Sequence, residues 1–584
     1  MKIGVKFIIL WCMIFSVPKQ KTEDKVFTYR EVYFPMVSAA SEYSIQYGTM
    51  PLDSYWGLWG HNLNKWVERS VTSENMHAMV DGKYNLSQYC FSSEELLRII
   101  EKNIDSIKNT YKYYMILPND NAVVCQCNQC KRLGNTDNDA SPAVFHLLQK
   151  LSAEIPQVNF FTTAYRTVRR PPAKKMPPNI GVLISTIEYQ EGVPYSQLKN
   201  HQELSAYIRS WTKHVEHVWA WEYALNYDNY FDLYPNLEVF NENLLFLSNY
   251  GVSGVFVNGS ETYSVLQDVK CSIMAQMLTD STTPVEEMIR TEIYQRYPGQ
   301  IAPLLSEYYI TINKDFHKSK RYFGIYSGIR TAEKKYLSAQ RYYDFYKAFA
   351  QAYHTVENPD TNTQQLMLAL AFMRLELMRS FGAGELGYAT AKDAAITIHS
   401  DVIGLLETVS NLSKQTQTDT YNEVGSTIEA YLDNWAIWIL NQTGTNHLLN
   451  RPIEVLSDLD EEYSDTRWLN DGAYGFLDYN TNWLICSQDD LIIRIDSQYL
   501  KDSQHLEIGF LNDPVHHIYF PQTITIYDDS TSGEYELQPT GELTKQKVHI
   551  NLLPYNNDTH VYLKIKRLKN HAKSAIACDE IVAY

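Results

Sequence analysis

The stretch from Ser92 to Asp120, SSEELLRIIEKNIDSIKNTYKYYMILPND, contains one predicted helix, one predicted strand and a polar strand end. Ser92 and Glu95 form a capping box ahead of apolar residues at helical spacing, which predicts a helix start. The apolar run Tyr113–Leu117 then predicts a buried strand, which a Pro-Asn-Asp sequence ends. A helix followed by such a strand is the repeating unit of a parallel α/β sheet.

The same alternation extends in both directions, over residues 29–278. Helical patterns, such as the one that begins at Ser141-Pro142, lie between short apolar runs. Strand–helix alternation implies parallel strands with right-handed crossovers, and eight such strands predict closure into a (β/α)8 TIM-type barrel. The eight predicted strands are Tyr29–Phe34, Trp56–His61, Gln88–Phe91, Tyr113–Leu117, Asn159–Tyr165, Ile180–Ile187, Val218–Tyr223 and Val252–Val257.

Two further regions follow the barrel. From Thr283 to about Leu449 the apolar residues recur at helical spacing with no strand signal, and the acidic linker Asp458–Asp465 comes next. Six short alternating runs after the linker indicate a β-sandwich: Leu491–Asp496, Leu506–Phe510, Ile518–Phe520, Thr523–Tyr527, Val548–Leu552 and Val561–Ile565.

We therefore predict a multidomain α/β plus all-β protein. Its predicted parts are a signal peptide at 1–25, the barrel at 26–282, an α-helical domain at 283–457 and the C-terminal β-sandwich at 458–584. Because few contacts need to cross an acidic linker, the sandwich is expected to fold alone.

The composition narrows the classes of function. The 584 residues include 51 Lys and Arg against 68 Asp and Glu, and the net charge of −17 disfavours nucleic acid and anionic membranes as partners. The chain also has 44 Tyr and 11 Trp, whose flat amphipathic rings suit the C–H faces of sugars. The predicted partner is an oligo- or polysaccharide, while the oligomeric state stays open.

The amino terminus has the features of a secretory signal. Lys2 and Lys6 precede an apolar run from Phe7 to Val17, and polar residues follow. This run is shorter than the ~20 residues that span a bilayer, and no later uncharged segment is long enough. We predict no membrane span and an exported protein, whether periplasmic, at the cell surface or secreted.

Reactive side chains of a strand–helix barrel collect at the C-terminal ends of its strands. Glycoside hydrolysis needs one carboxylic acid to protonate the leaving oxygen and one carboxylate to act as nucleophile or to activate water. Asp120 and Glu222 end the fourth and seventh predicted strands and are the predicted pair, with Glu188 as a rival for either role. However, Asp120 could be only a turn residue, and Glu222 could be a satisfied buried acid.

Other polar and aromatic residues at these strand ends form the predicted substrate-binding set: Glu31, Trp59, His61, Asn119, Tyr165, Trp221 and Asn258. The tryptophans could equally be core residues. His61 is predicted to be a hydrogen-bonding residue, because no second ligand accompanies it at metal spacing. We predict no catalytic metal and no cofactor.

Four cysteines are predicted to lie together, because the third and fourth predicted strands are barrel neighbours. They are Cys90, Cys125, Cys127 and Cys130. Such a group could hold a structural zinc ion or form disulfides in an oxidising compartment, and the sequence leaves both alternatives open. No Cys–His arrangement indicates a catalytic thiol.

Several motifs together resemble one family: Tyr29-Arg30-Glu31-Val32-Tyr33, Trp56-Gly57-Leu58-Trp59-Gly60-His61, Pro118-Asn119-Asp120 with the following Cys125-Gln126-Cys127-Asn128-Gln129-Cys130, and Gly251-Val252-Ser253-Gly254-Val255-Phe256. From roughly Phe27 to Asn313 the chain is similar to the bacterial domain-of-unknown-function family 4838. The resemblance implies an exported protein with a (β/α)8 barrel similar to glycoside hydrolases, distantly α-glucuronidases and β-hexosaminidases. It implies no particular reaction.

The tail has a resemblance of its own. Leu469-Asn470-Asp471-Gly472 and Pro521-Gln522-Thr523-Ile524-Thr525-Ile526 are similar to motifs of discoidin, or galactose-binding-like, domains. This implies either carbohydrate binding or a bracing role for the sandwich.

These observations predict an exported glycoside hydrolase that cleaves a complex glycan by a two-carboxylate mechanism. The alternative is a non-catalytic carbohydrate-binding protein of a polysaccharide-utilisation system. Hydrolysis by the predicted pair requires the carboxyl groups of Asp120 and Glu222 to face one cleft, about 5 to 10 Å apart.

Overall fold

A computed structural model describes residues 27–38, 40–67, 71–280, 282–392, 394–441, 444–537, 540–552, 555, 559–568 and 574–584. The predicted signal peptide lies outside the described residues. Among those described, no helix is both long enough and apolar enough to cross a membrane.

The amino-terminal region contains nine strands, seven of which form one parallel sheet. The nine are β1 (Tyr29–Tyr33), β2 (Trp56–Leu58), β3 (His77–Val80), β4 (Lys83–Tyr89), β5 (Tyr113–Met115), β6 (Asn159–Ala164), β7 (Ile180–Ser185), β8 (His217–Tyr223) and β9 (Gly254–Asn258). The parallel sheet has the order β1-β9-β8-β7-β6-β5-β2; among the described residues, seven helices lie in its connections and an eighth follows β9. The helices of this region are α1 (Glu42–Tyr47), α2 (Leu52–Tyr55), α3 (Glu94–Ile107), α4 (Asn128–Leu133), α5 (Ser141–Glu154), α6 (His201–Thr212), α7 (Leu237–Asn249) and α8 (Gln267–Met277).

The sheet curls until its two edge strands meet through side chains. The Trp56 indole N–H on β2 donates to the Tyr29 hydroxyl on β1 at 2.9 Å. Chain from residues 48–52 fills the seam, since Met50 N–H donates to the Arg30 carbonyl at 2.7 Å. The described residues therefore form a curled seven-stranded sheet, and the predicted eight-stranded TIM barrel is not confirmed.

The predicted strand Gln88–Phe91 is wrong as a member of this sheet. Its first residues belong to β4, which pairs antiparallel with β3 in a separate hairpin. The helix predicted after it is confirmed, but it begins one residue later than expected. The Ser93 hydroxyl, rather than that of Ser92, caps α3 by accepting from Leu96 N–H at 3.3 Å.

The middle region is helical, as predicted, with one small exception. A two-stranded antiparallel hairpin of β10 (Ala389–Lys392) and β11 (Ala395–Ile398) interrupts it, although no strand was predicted in this region. The helices are α9 (Val285–Arg296), α10 (Ala302–Lys318), α11 (Ile329–Lys335), α12 (Ala339–Tyr353), α13 (Thr361–Phe381), α14 (Ser400–Thr416) and α15 (Ile428–Trp435).

The C-terminal region contains two antiparallel sheets that share one apolar core. Their strands are β12 (Ile453–Val455), β13 (Leu484–Cys486), β14 (Leu491–Asp496), β15 (His505–Asn512), β16 (Thr523–Tyr527), β17 (Ser532–Tyr535), β18 (Thr544–Asn551), β19 (His560–Lys566) and β20 (Ile576–Ala583). The sheet orders are β12-β14-β19-β16-β17 and β13-β20-β15-β18. Five of the six predicted runs coincide with strands, whereas Ile518 forms only isolated bridges.

The junction before the sandwich carries many contacts. Strand β12 lies ahead of the predicted boundary at 457/458, yet it pairs with β14. Tyr474 and Phe476, which follow the boundary, pack into the main apolar core with the helical region. The acidic segment therefore does not separate two independent sets of contacts, and the predicted domain limits stay a prediction.

Candidate functional site

A deep cleft lies at the C-terminal ends of β1, β2, β8 and β9. Its volume is about 680 Å³, and residues 420–425 of the helical region complete its wall. Two backbone hydrogen bonds hold this segment in place: Glu423 N–H donates to the Tyr227 carbonyl at 2.9 Å, and Tyr230 N–H donates to the Tyr421 carbonyl at 2.6 Å. The cleft is thus built from two regions of the chain.

Aromatic rings form the floor and one wall of the cleft. Trp59 stacks on Trp221 with ring centroids 5.0 Å apart and planes inclined by 22°. The ring of Phe256 packs against both: its centroid is 4.4 Å from that of Trp59 and 4.7 Å from that of Trp221. These strand-end aromatics, together with Tyr33 and Tyr230, give the cleft flat apolar surfaces beside polar groups.

Three carboxylates that the sequence prediction did not include face this cleft: Asp53, Glu261 and Glu423. Each is exposed. Tyr33 lies near two of them, Asp53 and Glu261: burial, followed by the charges of Glu261, Asp53 and Glu31, raises the pKa of its hydroxyl. Glu423 accepts a hydrogen bond from the Tyr326 hydroxyl at 2.7 Å, which fixes its position at the cleft wall.

Glu31 lies inside the curled sheet, below the cleft floor. Side chains alternate along β1, so Glu31 points to the same side as Tyr29 and Tyr33, and it is level with Phe256 on β9. It is 1% exposed, and its Oε2 atom has no hydrogen-bond partner among the described residues. Burial, followed by the charge of Asp53, raises the pKa of Glu31 to about 8. This carboxyl therefore holds its proton at neutral pH.

Asn258 ends β9 and lines the cleft, and its predicted role in substrate binding stays a prediction. Its backbone carbonyl accepts from the Tyr227 hydroxyl at 2.6 Å. Of the predicted binding set, Trp59, Trp221 and Asn258 thus line one cleft, with Glu31 beneath it.

A second group of predicted residues lies together at the ends of β2, β5 and β6, outside the lining of the cleft. His61 Nδ1 is 2.7 Å from the Pro118 carbonyl oxygen, and its ring is 6.3 Å from that of Tyr165. Asp120 forms an ion pair with Arg166 at 2.6 Å, and Arg166 Nε donates to the Tyr165 hydroxyl at 3.0 Å. Asp120 is therefore already paired with a cation.

Asn119 is held by the hairpin β3–β4. Its side-chain amide donates to the Ser87 carbonyl at 2.8 Å, and its backbone N–H donates to Gln88 Oε1 at 3.0 Å. The residue is 6% exposed. These contacts make Asn119 a buried support of the strand end, while its predicted role toward a sugar stays a prediction.

Glu222 points away from the interior of the sheet. Trp219 and Trp221 face inward, so Glu222 between Trp221 and Tyr223 faces the outer layer. It accepts from the Tyr195 hydroxyl at 2.8 Å and from Gln190 Nε2 at 2.9 Å. Burial raises the pKa of Glu222 to about 7, against these hydrogen bonds, which lower it.

Glu188 lies in a short turn after β7 and is ion-paired with Arg169 at 2.5 Å. Asp120, Glu222 and Glu188 thus contact separate sets of partners, and none of the three lines the cleft. Their predicted catalytic roles have no support in this geometry and stay predictions.

Of the three cleft carboxylates that the sequence prediction did not include, one has a local signal in the sequence and two have none. Glu261 comes three residues after β9, so a search extended slightly beyond the strand end would have found it. Asp53 precedes β2, and Glu423 comes from the helical region, so neither has a local signal. Only the tertiary structure places these two side chains at the cleft.

The fold and site define an α/β protein whose candidate ligand site lies at the carboxyl ends of a curled parallel sheet. Residues 13–310, just over half of the chain, match the family model described as Domain of unknown function (DUF4838). The chain belongs to this family, and the family prediction is confirmed. No curated protein matches the chain.

Two solved structures have limited similarity to the chain. A GH138 enzyme targeting pectin rhamnogalacturonan II is 8% identical with a TM-score of 0.31, over 96% of this chain and 86% of that one. TmCBM61, in complex with beta-1,4-galactotriose, is 11% identical with a TM-score of 0.14, over 24% of this chain and 99% of that one.

Proposed function

We propose that the protein is an exported glycoside hydrolase that binds a glycan in the cleft at the sheet end. The observation that carries the proposal is the combination of Trp59 and Trp221 with exposed carboxylates in one cleft of about 680 Å³. Aromatic faces bind the C–H surfaces of sugars, and carboxylates supply the acid and base chemistry of glycoside cleavage. Export rests on the apolar segment at residues 7–17.

We assign the two-carboxylate chemistry to Asp53 and Glu261. Both face the cleft, and both act on the Tyr33 hydroxyl, so they lie near a common point. Glu31 below them keeps a proton at neutral pH, which limits the negative charge collected there.

Four amide variants compare the cleft carboxylates with the pair predicted from sequence. The measurement is release of reducing ends from a panel of soluble glycans. Asp53→Asn and Glu261→Gln are expected to lower the rate at least 100-fold, because each removes an acid or a base from the reaction. Asp120→Asn and Glu222→Gln are the matched controls, and each is expected to keep most of the activity.

The opposite pattern would contradict the assignment. If Asp120→Asn and Glu222→Gln abolish hydrolysis while Asp53→Asn and Glu261→Gln remain active, the pair predicted from the sequence is correct and the cleft pair is not.

The second candidate function is glycan binding without hydrolysis. It is favoured by the outward position of Glu222 and by the ion pair of Asp120, which leave the sequence-predicted pair apart from the cleft. The unmodified protein would then bind a glycan of the panel, with an affinity that Trp59 supports, and release no reducing ends.

A further inference from the structure

The four cysteines Cys90, Cys125, Cys127 and Cys130 lie together at the side of the curled sheet, apart from the cleft. Their sulfur atoms are all within 4.8 Å of one another. Cys90 Sγ is 3.8 Å from Cys127 Sγ and 3.8 Å from Cys130 Sγ. Zinc bound by four thiolates has Zn–S bonds of about 2.3 Å, and a tetrahedron of that size separates the sulfurs by about 3.8 Å. From this geometry we infer that the four thiolates form a site for one zinc ion.

The backbone is arranged around the cluster in a way that suits thiolate ligands. Met79 N–H on β3 donates to Cys125 Sγ at 3.3 Å, and Cys130 N–H donates to Cys127 Sγ at 3.4 Å. Amide donors stabilise the negative charge that a metal-bound thiolate carries. The Cys-x-x-Cys spacing of Cys127 and Cys130 places both sulfurs on one side of the first turn of α4.

The sulfur positions fit a central ion better than two disulfides. A disulfide brings one pair of sulfurs to about 2.05 Å and leaves the other sulfurs farther away. Here Cys90 Sγ is 3.8 Å from each of two possible partners, Cys127 and Cys130, so neither pair is at the distance of a disulfide. The spacing is also too tight for an iron–sulfur cluster, because inorganic sulfides and several irons would lie between the thiolates.

The ion would fasten the hairpin β3–β4 to the segment that follows β5. Cys90 comes directly after β4, whereas Cys125 and Cys127 belong to the segment after β5. Gln126 N–H also donates to the Met79 carbonyl at 2.7 Å, so the two segments already lie side by side. The same hairpin holds Asn119. Zinc therefore has a structural role at this side of the strand ends, with all four ligand positions filled by sulfur.

The full-length protein tests the site directly by elemental analysis and intact mass. We expect about one zinc per chain, and four thiols that react only after a mercurial or a denaturant with chelator releases the metal. Replacing zinc with Co²⁺ should give the visible absorption of tetrahedral cobalt thiolate. A mass lower by four hydrogens with no bound zinc, which means two disulfides, would overturn the inference.

A pair of alanine variants locates the metal. Cys127 is the least buried of the four, so Cys127→Ala perturbs packing least, and Cys271→Ala removes a buried thiol on α8 outside the cluster. After dialysis against a chelator, Cys127→Ala is expected to retain less than a tenth of the zinc, whereas Cys271→Ala retains all of it. Full retention by Cys127→Ala would refute the assignment. If that variant does not fold, the cobalt spectrum of the unmodified protein decides.

Discussion

The carboxyl group of Glu31, inside the curled sheet, has a strongly raised pKa. Its ordinary pKa is 4.5, and burial raises the value to about 8 in the folded protein. Below pH 4.5 the group is protonated in both states, so its contribution to stability is fully present. Between about pH 4.5 and 8 only the unfolded chain releases the proton, and stability falls by about 1.4 kcal/mol per pH unit from this group. Above pH 8 the loss is complete.

We therefore expect Glu31→Gln to reduce the pH dependence of the unfolding free energy. Urea unfolding measures the free energy of unfolding at pH 5 and at pH 8. Between these two pH values the variant should lose less stability than the unmodified protein, by about 2 kcal/mol or more. A residual loss is expected, because the pKa of Glu222 is also raised, to about 7. Glu203→Gln, on the exposed side of α6, is the control. It should show the same difference in unfolding free energy between pH 5 and pH 8 as the unmodified protein. An identical loss in Glu31→Gln and the unmodified protein would show that Glu31 ionises normally.

Trp59 provides the second test at the scale of single residues. Truncation by Trp59→Ala removes one of the two stacked rings at the cleft, so affinity for a bound glycan is expected to fall about tenfold, or about 1.4 kcal/mol. Trp438→Ala is the matched control, because this half-buried ring lies near Lys545, away from the cleft. Calorimetric titration with a glycan from the activity screen measures both variants. Equal affinity of both variants would place the sugar elsewhere.

The alternation of side chains along a strand determines how the residues of β8 are oriented. On a strand, neighbouring side chains point to opposite faces, so Trp221 and Glu222 cannot both face the interior. Once Trp221 is placed inside, the strand period alone assigns Glu222 to the outer face. The same period correctly groups Tyr29, Glu31 and Tyr33 on one side.

Among the structural elements, the hairpin β3–β4 is one that the sequence prediction did not include. Its turn is Asp81-Gly82, the strongest short-range hairpin signal, and both residues have positive φ angles of 48° and 75°. The sequence prediction instead took Gln88–Phe91 as a parallel strand because the run is short and apolar. Helix α3 and most sheet strands were predictable, since their apolar periods are long and regular.

The hairpin turn can be tested with two glycine variants that differ only in backbone conformation. A Cβ at either Gly82 or Gly299 meets no atom within 4 Å, but only Gly82 has a positive φ. Gly82→Ala is expected to destabilise the protein by about 1 kcal/mol, whereas Gly299→Ala should be neutral or slightly stabilising. Denaturant unfolding measures both. Equal stability of the two variants would mean that the turn relaxes without strain.

The cleft and the packing of the regions around it depend on segments that lie far apart in sequence. Residues 420–425 reach the cleft from the helical region, and Asn480, beyond the acidic segment, donates to Asp228 of the amino-terminal region. Neither contact has a local signature, because each depends on how complete regions pack. Composition and period could therefore predict the regions but not the cleft between them.

An ion pair with a buried arginine crosses the predicted boundary between the helical region and the sandwich. Arg379 on α13 is 1% exposed and forms ion pairs with Glu376 and Asp478, at 2.8 and 2.9 Å. Its partner Asp478 lies beyond residue 457, so removing residues 458–584 leaves this buried guanidinium with one carboxylate in place of two. The loss of Asp478 weakens the charge compensation of the buried Arg379, and the truncation also uncovers the apolar surface that Tyr474 and Phe476 cover.

We therefore expect a chain ending at residue 457 to aggregate, contrary to the sequence-based expectation of a separable sandwich. The complementary pieces test the same boundary from the other side. Residues 444–584 keep β12 and Asn446, whose amide donates to Glu580 at 3.1 Å, whereas residues 458–584 lack both. The longer piece should be the more soluble and should unfold at higher temperature, as measured by size-exclusion chromatography and calorimetry. Cooperative folding of both the 1–457 chain and the 458–584 piece would restore the acidic segment as a true domain boundary.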